Sequence, residues 1–379
     1  MTSRERVRAA IAREPVDKLP LGFYAVDHDI IEKVIGRPTL IRNKVETVLA
    51  VWEGRRDELV ESYKADSVEF YKKIDCADLI LFKDAPYIPV RSYKADPPKK
   101  IDDNIWEDKQ GRIWKANREA NDIMIVKRPE SARNEYALED FKIPDTLEPP
   151  DESMFEAFDY LLEQLGEERY LCSYMPALPM PMLGAFEDAM MVYGLNPELI
   201  HAANEFNVAK QNFMDQYRFR KGSAGAFAEE DMAGTNGPFI SPDMWREMCF
   251  PYLKERIGNI KKLTGQVGYH CCGNTMPLME MFIDAGLDFY QSLQTTAGME
   301  VGKLKKMFGD RLCIWGGVPV EILVGGKPDD VRKAVRKAME QGAEGSGFIL
   351  GPSHSIAYGT KYDNFMAMLD EFVKLRDRV

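Results

Sequence analysis

The sequence predicts a closed (β/α)8 barrel of the TIM type. Eight short apolar runs recur along the chain, each followed by a stretch with helical periodicity, and strand alternating with helix is typical of a parallel sheet. The runs lie at residues 19–25, 77–82, 170–175, 225–230, 267–272, 289–293, 312–317 and 347–350. The structural alternative is an open, doubly wound sheet. No G-x-G-x-x-G motif follows the first run, so the dinucleotide-binding form of that sheet has no support.

Several helices between the runs have recognisable ends. Ser241 and Pro242 cap and open one helix, and Pro328 opens another. The last helix begins after Thr360 and places apolar residues on one face, which predicts packing against a core. These residues are Phe365, Met368, Leu369, Phe372 and Leu375.

Residues 84–165 do not follow the alternation. They are rich in proline and charge, and two short runs on either side of Lys109-Gln110-Gly111 predict a β-hairpin. We expect this stretch to be an insertion packed beside the barrel. Because no repeat or low-complexity linker interrupts the chain, residues 1–379 are predicted to form a single barrel domain.

Composition narrows the range of partners. The chain holds 50 Lys+Arg and 61 Asp+Glu, a net charge of −11 that disfavours nucleic-acid binding. Six cysteines without regular spacing indicate a reducing compartment rather than a disulfide framework. The first residues lack a secretory pattern, and the most apolar region, 170–194, is broken by prolines and acids. We therefore expect a cytoplasmic protein that does not cross a membrane.

A histidine and a cysteine lie at the end of the fifth predicted strand. His270 and Cys272 are two residues apart, so they project to the same side, while Cys271 projects to the other. Imidazole and thiolate are zinc-type ligands, and the C-terminal ends of barrel strands are where active sites lie. The alternative is a buried histidine beside small apolar residues.

His354 follows the eighth predicted strand, whose end faces the same barrel mouth. It would make a third ligand, and three protein ligands with one open position are typical of catalytic zinc. The alternative is a loop histidine that binds substrate or water.

A run of acids, Glu229-Glu230-Asp231, ends the fourth predicted strand. Glu230 and Asp231 are candidates for acid/base catalysis, for orienting a metal-bound histidine or for holding a polar substrate. The alternative is a solvated surface run.

At these residues the sequence resembles the uroporphyrinogen decarboxylase superfamily, and within it the methyltransferases that act on corrinoid proteins. The resemblance runs nearly end to end, and its segments follow in order at the expected intervals. They include Pro15-Val-Asp17, Trp106-Glu-Asp, Gly111-Arg-Ile-Trp114, Glu230-Asp231, Asn236-Gly-Pro238, His270-x-Cys272-Gly-Asn274, Trp315-Gly-Gly-Val318 and Gly347-Phe-Ile-Leu350.

The resemblance implies a (β/α)8 barrel and a zinc ion held by H-x-C and a cysteine after the last strand. His270 and Cys272 match, but His354 occupies the position of that cysteine. Replacing a thiolate by a neutral imidazole removes one negative charge and leaves the zinc ion a stronger Lewis acid. Cleavage of a methyl ether needs an electron-poor oxygen, so the set His270, Cys272 and His354 favours an ether-cleaving role.

The resemblance thus implies a methyltransferase that moves a methyl group from a small methylated donor, most readily an aryl methyl ether, to the Co(I) of a separate corrinoid protein. No D-x-H-x-x-G segment is present to bind the cobalamin in this chain. We expect Phe23, Tyr24 and Tyr174, at other strand ends, to pack on a substrate ring. Asn236, in a matching segment, is a further candidate for substrate binding.

Three alternatives remain at this point. One is methyl transfer from a methylated corrinoid protein to a thiol such as coenzyme M, and another is a non-catalytic partner of a corrinoid protein. The third is decarboxylation of a tetrapyrrole. It is disfavoured because residues 21–29 lack the arginine that the decarboxylases carry after the first strand. The oligomeric state is left open.

Overall fold

The computed structural model of the chain describes residues 1–81, 83, 88–129 and 136–377. Three parts of the predicted elements lie outside the described residues. They are Phe82 at the end of the second apolar run and residues 84–87 and 130–135 of the insertion.

Eight parallel strands form one sheet, in the order in which they occur along the chain. Each lies within or overlaps one of the eight apolar runs, so the predicted barrel strands are confirmed. The strands are β1 (Gly22–Phe23), β2 (Leu79–Ile80), β7 (Tyr170–Tyr174), β8 (Gly225–Glu229), β11 (Val267–His270), β12 (Phe289–Gln291), β13 (Cys313–Val318) and β14 (Phe348–Pro352).

The sheet closes on itself between its first and last strands. Parallel bridges join Leu21 to Leu350 and Val26 to Ile356, and the Leu350 amide donates a hydrogen bond to the Pro20 carbonyl at 3.0 Å. The fold is therefore the predicted (β/α)8 barrel, and the C-terminal ends of all eight strands open at one mouth.

Helices surround the barrel. They are α1 (Ser3–Ala12), α2 (His28–Ile35), α3 (Lys44–Trp52), α4 (Arg56–Lys73), α5 (Glu156–Leu165), α6 (Phe186–Leu195), α7 (Pro197–Arg218), α8 (Pro242–Met248), α9 (Phe250–Ile260), α10 (Met279–Asp284), α11 (Val301–Phe308), α12 (Val320–Gly325), α13 (Pro328–Gly342) and α14 (Tyr362–Leu375). Among the residues that the structure describes, every helix is too short or too polar to span a lipid bilayer.

The predicted helix ends are confirmed. Helix α8 begins at Pro242, and the Ser241 hydroxyl accepts a hydrogen bond from the Met244 amide at 3.2 Å. Helix α13 begins at Pro328. In α14, Phe365, Met368, Leu369 and Phe372 are buried in the hydrophobic core, as the apolar face of that helix predicts.

Large aromatic side chains fill the lower part of the barrel interior. Trp315, Phe227 and Phe289 pack with ring centroids 5.6–6.4 Å apart. Gly268 makes room for them, because a Cβ atom at this position would lie 2.3 Å from the Phe289 ring. Since the interior is filled below, side chains at the strand ends meet only at the mouth.

The insertion forms a four-stranded antiparallel sheet of β3 (Lys99–Asp102), β4 (Ile105–Glu107), β5 (Ile113–Asn117) and β6 (Asp122–Lys127). The predicted hairpin is its β4–β5 pair, in which Trp106 lies opposite Trp114. Both rings contact Trp52 of α3, with centroids 5.5 and 5.7 Å away. This small aromatic core attaches the sheet to the helical layer.

A buried carboxylate joins the two ends of the chain at the bottom of the barrel. Asp78, which precedes β2, is 1% exposed. One of its oxygens accepts hydrogen bonds from the Ser3 hydroxyl and the Arg6 guanidinium, both at 2.6 Å. The other accepts from the Leu21 amide at 3.0 Å and from Arg376 at 2.7 Å. Asp78 therefore links the N-terminal helix, the first two strands and the end of α14.

We predict that Asp78→Ala lowers the free energy of unfolding by about 3–5 kcal/mol, because it leaves two buried guanidinium groups without their shared partner. Asp17→Ala is the matched control, since Asp17 also pairs with Arg6, at 2.7 Å, but its side chain is 38% exposed. It should cost about 1 kcal/mol or less. Urea denaturation of both variants measures the difference, and equal losses would contradict the role of Asp78.

Candidate metal centre

Three side chains from two strand ends meet at the barrel mouth. His270 ends β11, Cys272 follows two residues later, and His354 follows β14. One ligand atom from each residue lies within 4.8 Å of the other two. The Cys272 Sγ lies 3.2 Å from the His270 Nε2, and the two imidazole centroids are 5.3 Å apart. The structure thus brings together the three residues predicted as metal ligands.

The backbone around β11 explains why these side chains share one side. His270 and Cys272 point into the mouth, whereas the Cys271 Sγ points away and accepts a hydrogen bond from the Met232 amide at 3.3 Å. Gly273 then turns the chain with φ = 83°. A Cβ atom at this position would lie 2.3 Å from the Ala233 carbonyl oxygen. Only glycine lets the segment pass this close to the short hairpin of β9 (Ala233–Gly234) and β10 (Gly237–Pro238).

A glutamine from the next strand determines which nitrogen of His270 faces the cluster. Gln291, fully buried at the end of β12, contacts the His270 Nδ1 through its Oε1. Its Nε2 donates to the Pro352 carbonyl at 3.5 Å. Because a carbonyl only accepts, the amide oxygen must face the imidazole, and Nδ1 must carry the proton. The unprotonated Nε2, which is the metal-binding atom, is therefore directed at Cys272.

Burial keeps the cluster uncharged. Burial and the neighbouring His354 lower the pKa of His270 to about 4, and burial also lowers the pKa of His354. Burial, with the nearby Asp231 carboxylate, raises the pKa of Cys272 to about 12. Both imidazoles are therefore neutral near pH 7, which is the form that binds metals.

The two predicted acidic residues lie on opposite sides of the sheet. Asp231 borders the cluster: its Oδ1 accepts from the Cys272 amide at 2.8 Å and lies 3.9 Å from the His270 Nε2. Strand alternation directs Glu230 to the other side, where it accepts from the Met180 amide of the loop between β7 and α6 at 3.2 Å. Burial raises the pKa of Glu230 to about 8. Of the pair, the structure brings only Asp231 to the mouth.

Glu229, in contrast, points into the mouth, where it forms a closed set of hydrogen bonds. The Tyr24 hydroxyl donates to its carboxylate, and Lys83 pairs with the same carboxylate at 2.7 Å. The Lys83 ammonium also donates to the Tyr24 hydroxyl at 3.0 Å. The Tyr24 ring in turn stacks on His270, with centroids 4.2 Å apart.

The residues predicted to bind a substrate are placed differently from one another. Tyr174 ends β7 half-buried, close enough to Tyr24 to affect its pKa. Phe23 is fully buried and packs on Phe365 of α14, 6.0 Å between centroids, so the structure does not bring it to the mouth. Asn236 lies exposed in the turn between β9 and β10.

Sequence reasoning missed Gln291 and Lys83 and did not single out Glu229 within its acidic run. A signal was present, since each polar residue stands at the end of a buried apolar strand. What was missing is the direction of each side chain. Glu229 and Gln291 are the register partners of His270 on the two strands beside β11, whereas Lys83 follows β2 and reaches Glu229 across the mouth.

The side chains of His270, Cys272 and His354 fit a zinc ion. Two imidazole nitrogens and one thiol sulfur are zinc-type ligands, and because they lie within 4.8 Å of one another, small side-chain rotations bring all three to one ion. Gln291 supplies the hydrogen bond that a metal-binding histidine receives at its other nitrogen. The fold and the site together define a (β/α)8-barrel protein with a His-Cys-His cluster at the C-terminal mouth of the barrel.

Comparison with known proteins gives the family. The model of the uroporphyrinogen decarboxylase (URO-D) family matches residues 128–375, which is more than half of the chain. The chain therefore belongs to this family.

Two known proteins are similar to this chain, one in part of its sequence and the other in its fold. A uroporphyrinogen decarboxylase of Chlorobium phaeobacteroides is 29% identical over 141 residues, which cover 36% of this chain and 38% of that protein. A solved structure titled methyltransferase from Methanosarcina mazei aligns over 99% of both chains with a TM-score of 0.61 and 16% identity. The second likeness is one of fold.

We predict that His270 of the metal-free protein carries its proton on Nδ1. Long-range ¹H–¹⁵N spectra distinguish the two tautomers, and only 4 histidines contribute signals. Gln291→Leu should mix the tautomers, because the acceptor at Nδ1 is lost. Gln266→Leu is the matched control: Gln266 stands just before β11, bonded to the Tyr170 hydroxyl at 2.8 Å. A dominant Nε2–H form in the unaltered protein would show that Gln291 does not orient the ring.

Proposed function

We propose that the chain is a zinc-dependent methyltransferase that takes a methyl group from a small methylated donor and passes it to the Co(I) of a corrinoid held by a separate protein. The donor that we propose is an aryl methyl ether. The proposal is carried by the cluster of His270, Cys272 and His354 at the mouth of a barrel of the uroporphyrinogen decarboxylase family. The shared fold of the Methanosarcina mazei methyltransferase is consistent with it.

The three ligands leave a position open for the donor. Three protein ligands with a free fourth position are typical of catalytic zinc sites, whereas structural sites are closed by four. When bound, zinc would supply Lewis acidity to the oxygen that leaves with the aromatic ring. Gln291 and the backbone turn at Gly273 hold His270 and Cys272 in place for this role.

His354 is the residue that favours an ether over a thiol. The methyltransferases that this sequence resembles carry a cysteine at this position. A second thiolate would add a second negative charge to the three metal ligands. His354 adds none, because an imidazole binds a metal ion in its neutral form. The ligands therefore neutralise less of the charge of the zinc ion, and more of it is available to polarise an ether oxygen.

Other residues of the mouth would bind and orient the donor. Asp231 is exposed beside the cluster and fixes the Cys272 amide, so its carboxylate is placed to accept a hydrogen bond from a polar substituent. Tyr174, half-buried at the end of β7, would pack against the ring. Glu230 is left out of this role, because strand alternation directs it to the side opposite Glu229 and Asp231.

Decarboxylation of a tetrapyrrole is a weaker candidate. Such a substrate carries several carboxylates, which need cations at the mouth. In the part of the chain that the structure describes, Arg42 and Lys83 reach this region, but Arg42 is paired with Asp27 and Lys83 with Glu229. The His-Cys-His cluster would also have no role in that reaction.

We predict that His270→Ala and Cys272→Ser each lose bound zinc and lower methyl transfer by more than about 100-fold, since loss of a group that only hydrogen-bonds a metal ligand already costs about 10–100-fold. Zinc content is measured on the purified chain. Transfer is followed by the absorbance of a Co(I) corrinoid protein mixed with methoxyaromatics, methylamines and methyl thiols. His201→Ala is the matched control, because His201 lies on α7, bonded to the Tyr252 hydroxyl at 2.9 Å.

Two results would overturn the proposal. One is a purified chain that binds no zinc although its ligands are intact. The other is full activity after simultaneous replacement of His270, Cys272 and His354. Transfer from a methylated corrinoid protein to a thiol, with no reaction of any ether, would instead select the thiol methyltransferase that the sequence leaves open.

His354→Cys tests the argument from charge. We expect the variant to retain zinc, because a His-Cys-Cys set also suits this ion. Ether cleavage should fall by about tenfold or more as the added thiolate neutralises the centre, and transfer to a thiol should rise in comparison. Unchanged ether cleavage in a zinc-loaded variant would show that the charge of residue 354 does not select the donor.

A further inference from the structure

We propose that Tyr24 is a positioning residue for the metal centre, in which its ring fixes the plane of the His270 imidazole while Glu229 and Lys83 hold the ring in place. The inference rests on the proposed function, because it requires a cation at the cluster. It replaces the expectation that Tyr24 packs on a substrate ring.

The first support is the contact between the two rings. The Tyr24 and His270 rings are nearly parallel, at 11°, with centroids 4.2 Å apart. The edge of the same tyrosine meets His354, with centroids 5.7 Å apart and an angle of 65°. Tyr24 therefore contacts both histidines of the cluster. Because it is only 3% exposed, almost none of its ring is left for a substrate.

The second support is the way in which the tyrosine is held. Its hydroxyl donates to Glu229 and accepts from Lys83 at 3.0 Å, and Lys83 pairs with Glu229 at 2.7 Å. Each polar group of this set has a partner within it, and such satisfied networks rigidify their members. Phe227 supports the ring from the barrel interior, with centroids 6.2 Å apart.

The physical need for such a support lies in the imidazole itself. The torsion of a histidine ring about its Cβ–Cγ bond has a wide allowed range, so it does not by itself direct Nε2 at an ion. Gln291 restrains the ring at one atom, Nδ1. A parallel ring against the imidazole face restrains its plane, and the two contacts together leave one direction for Nε2. Groups that orient a ligand in this way contribute about 10–100-fold to metal affinity.

The test is the zinc affinity of the full chain, measured by competition with a chelating dye. Tyr24→Leu removes the ring, and we expect it to raise the Kd by about 10–100-fold. Tyr24→Phe keeps the ring and loses the hydroxyl bonds, so its Kd should lie between those of Tyr24→Leu and the unaltered chain. Tyr252→Leu is the matched control, a tyrosine beside the non-ligand His201, and its Kd should not change.

A second readout separates positioning from a general structural role. The visible absorption bands of the Co²⁺-loaded protein report the arrangement of its ligands. We expect them to shift in Tyr24→Leu, and to shift less and in the same direction in Tyr24→Phe, which keeps the ring and loses its hydroxyl bonds. If Tyr24→Leu does not fold, Glu229→Gln and Lys83→Met release the ring without removing it, and the bands of both should shift in the same direction.

The outcomes distinguish the two proposals. If the unaltered chain binds zinc and Tyr24→Leu binds it with the same affinity and the same Co²⁺ spectrum, the positioning role is wrong and the metal centre stands. If Tyr24→Leu does not fold, unchanged spectra of Glu229→Gln and Lys83→Met overturn the role in the same way. If the unaltered chain binds neither ion, both proposals fail together.

Discussion

The site depends on the pairing of the first strand with the last. His354 follows β14 and Tyr24 follows β1, so the two meet only because bridges at Leu350 and Ile356 close the sheet. At the opposite end, Asp78 holds α1, the first two strands and the end of α14 with four hydrogen bonds. A barrel opened along this seam would keep His270, Cys272 and His354 on the β11–β14 side of the sheet but would lose the contacts of Tyr24 with both histidines.

The sequence predicted the architecture well, because a buried parallel strand is an apolar run of limited length and helices intervene at regular intervals. It also placed His270, Cys272 and His354 at one mouth, since that follows from strand order alone. The side-chain directions were harder to predict. Adjacent residues of a strand face opposite ways, so a shift of one residue exchanges Glu229 with Glu230. The same rule separates Phe23, which enters the core, from Tyr24, which meets the cluster.

Contacts between distant strands could not be derived from spacing. Gln291 reaches His270 because β11 and β12 are paired, with these two residues as register partners. Lys83 reaches Glu229 across the mouth from β2 to β8, two strands that are not neighbours. The insertion shows the same limit: its hairpin is visible in the sequence, but the contact of Trp52 with Trp106 and Trp114 requires the folded helical layer.

Polar groups have different roles at the two ends of the barrel. At the bottom, charges are buried and paired, which holds the ends of the chain together at the cost of desolvation. At the mouth, Lys83, Glu229 and Tyr24 satisfy one another, and Gln291 is shared between His270 and a backbone carbonyl. These hydrogen bonds therefore orient Tyr24 and His270. The nitrogen and sulfur atoms of His270, Cys272 and His354 face one another. In the proposed site these atoms would hold the ion, while the surrounding groups orient them and leave room for a substrate.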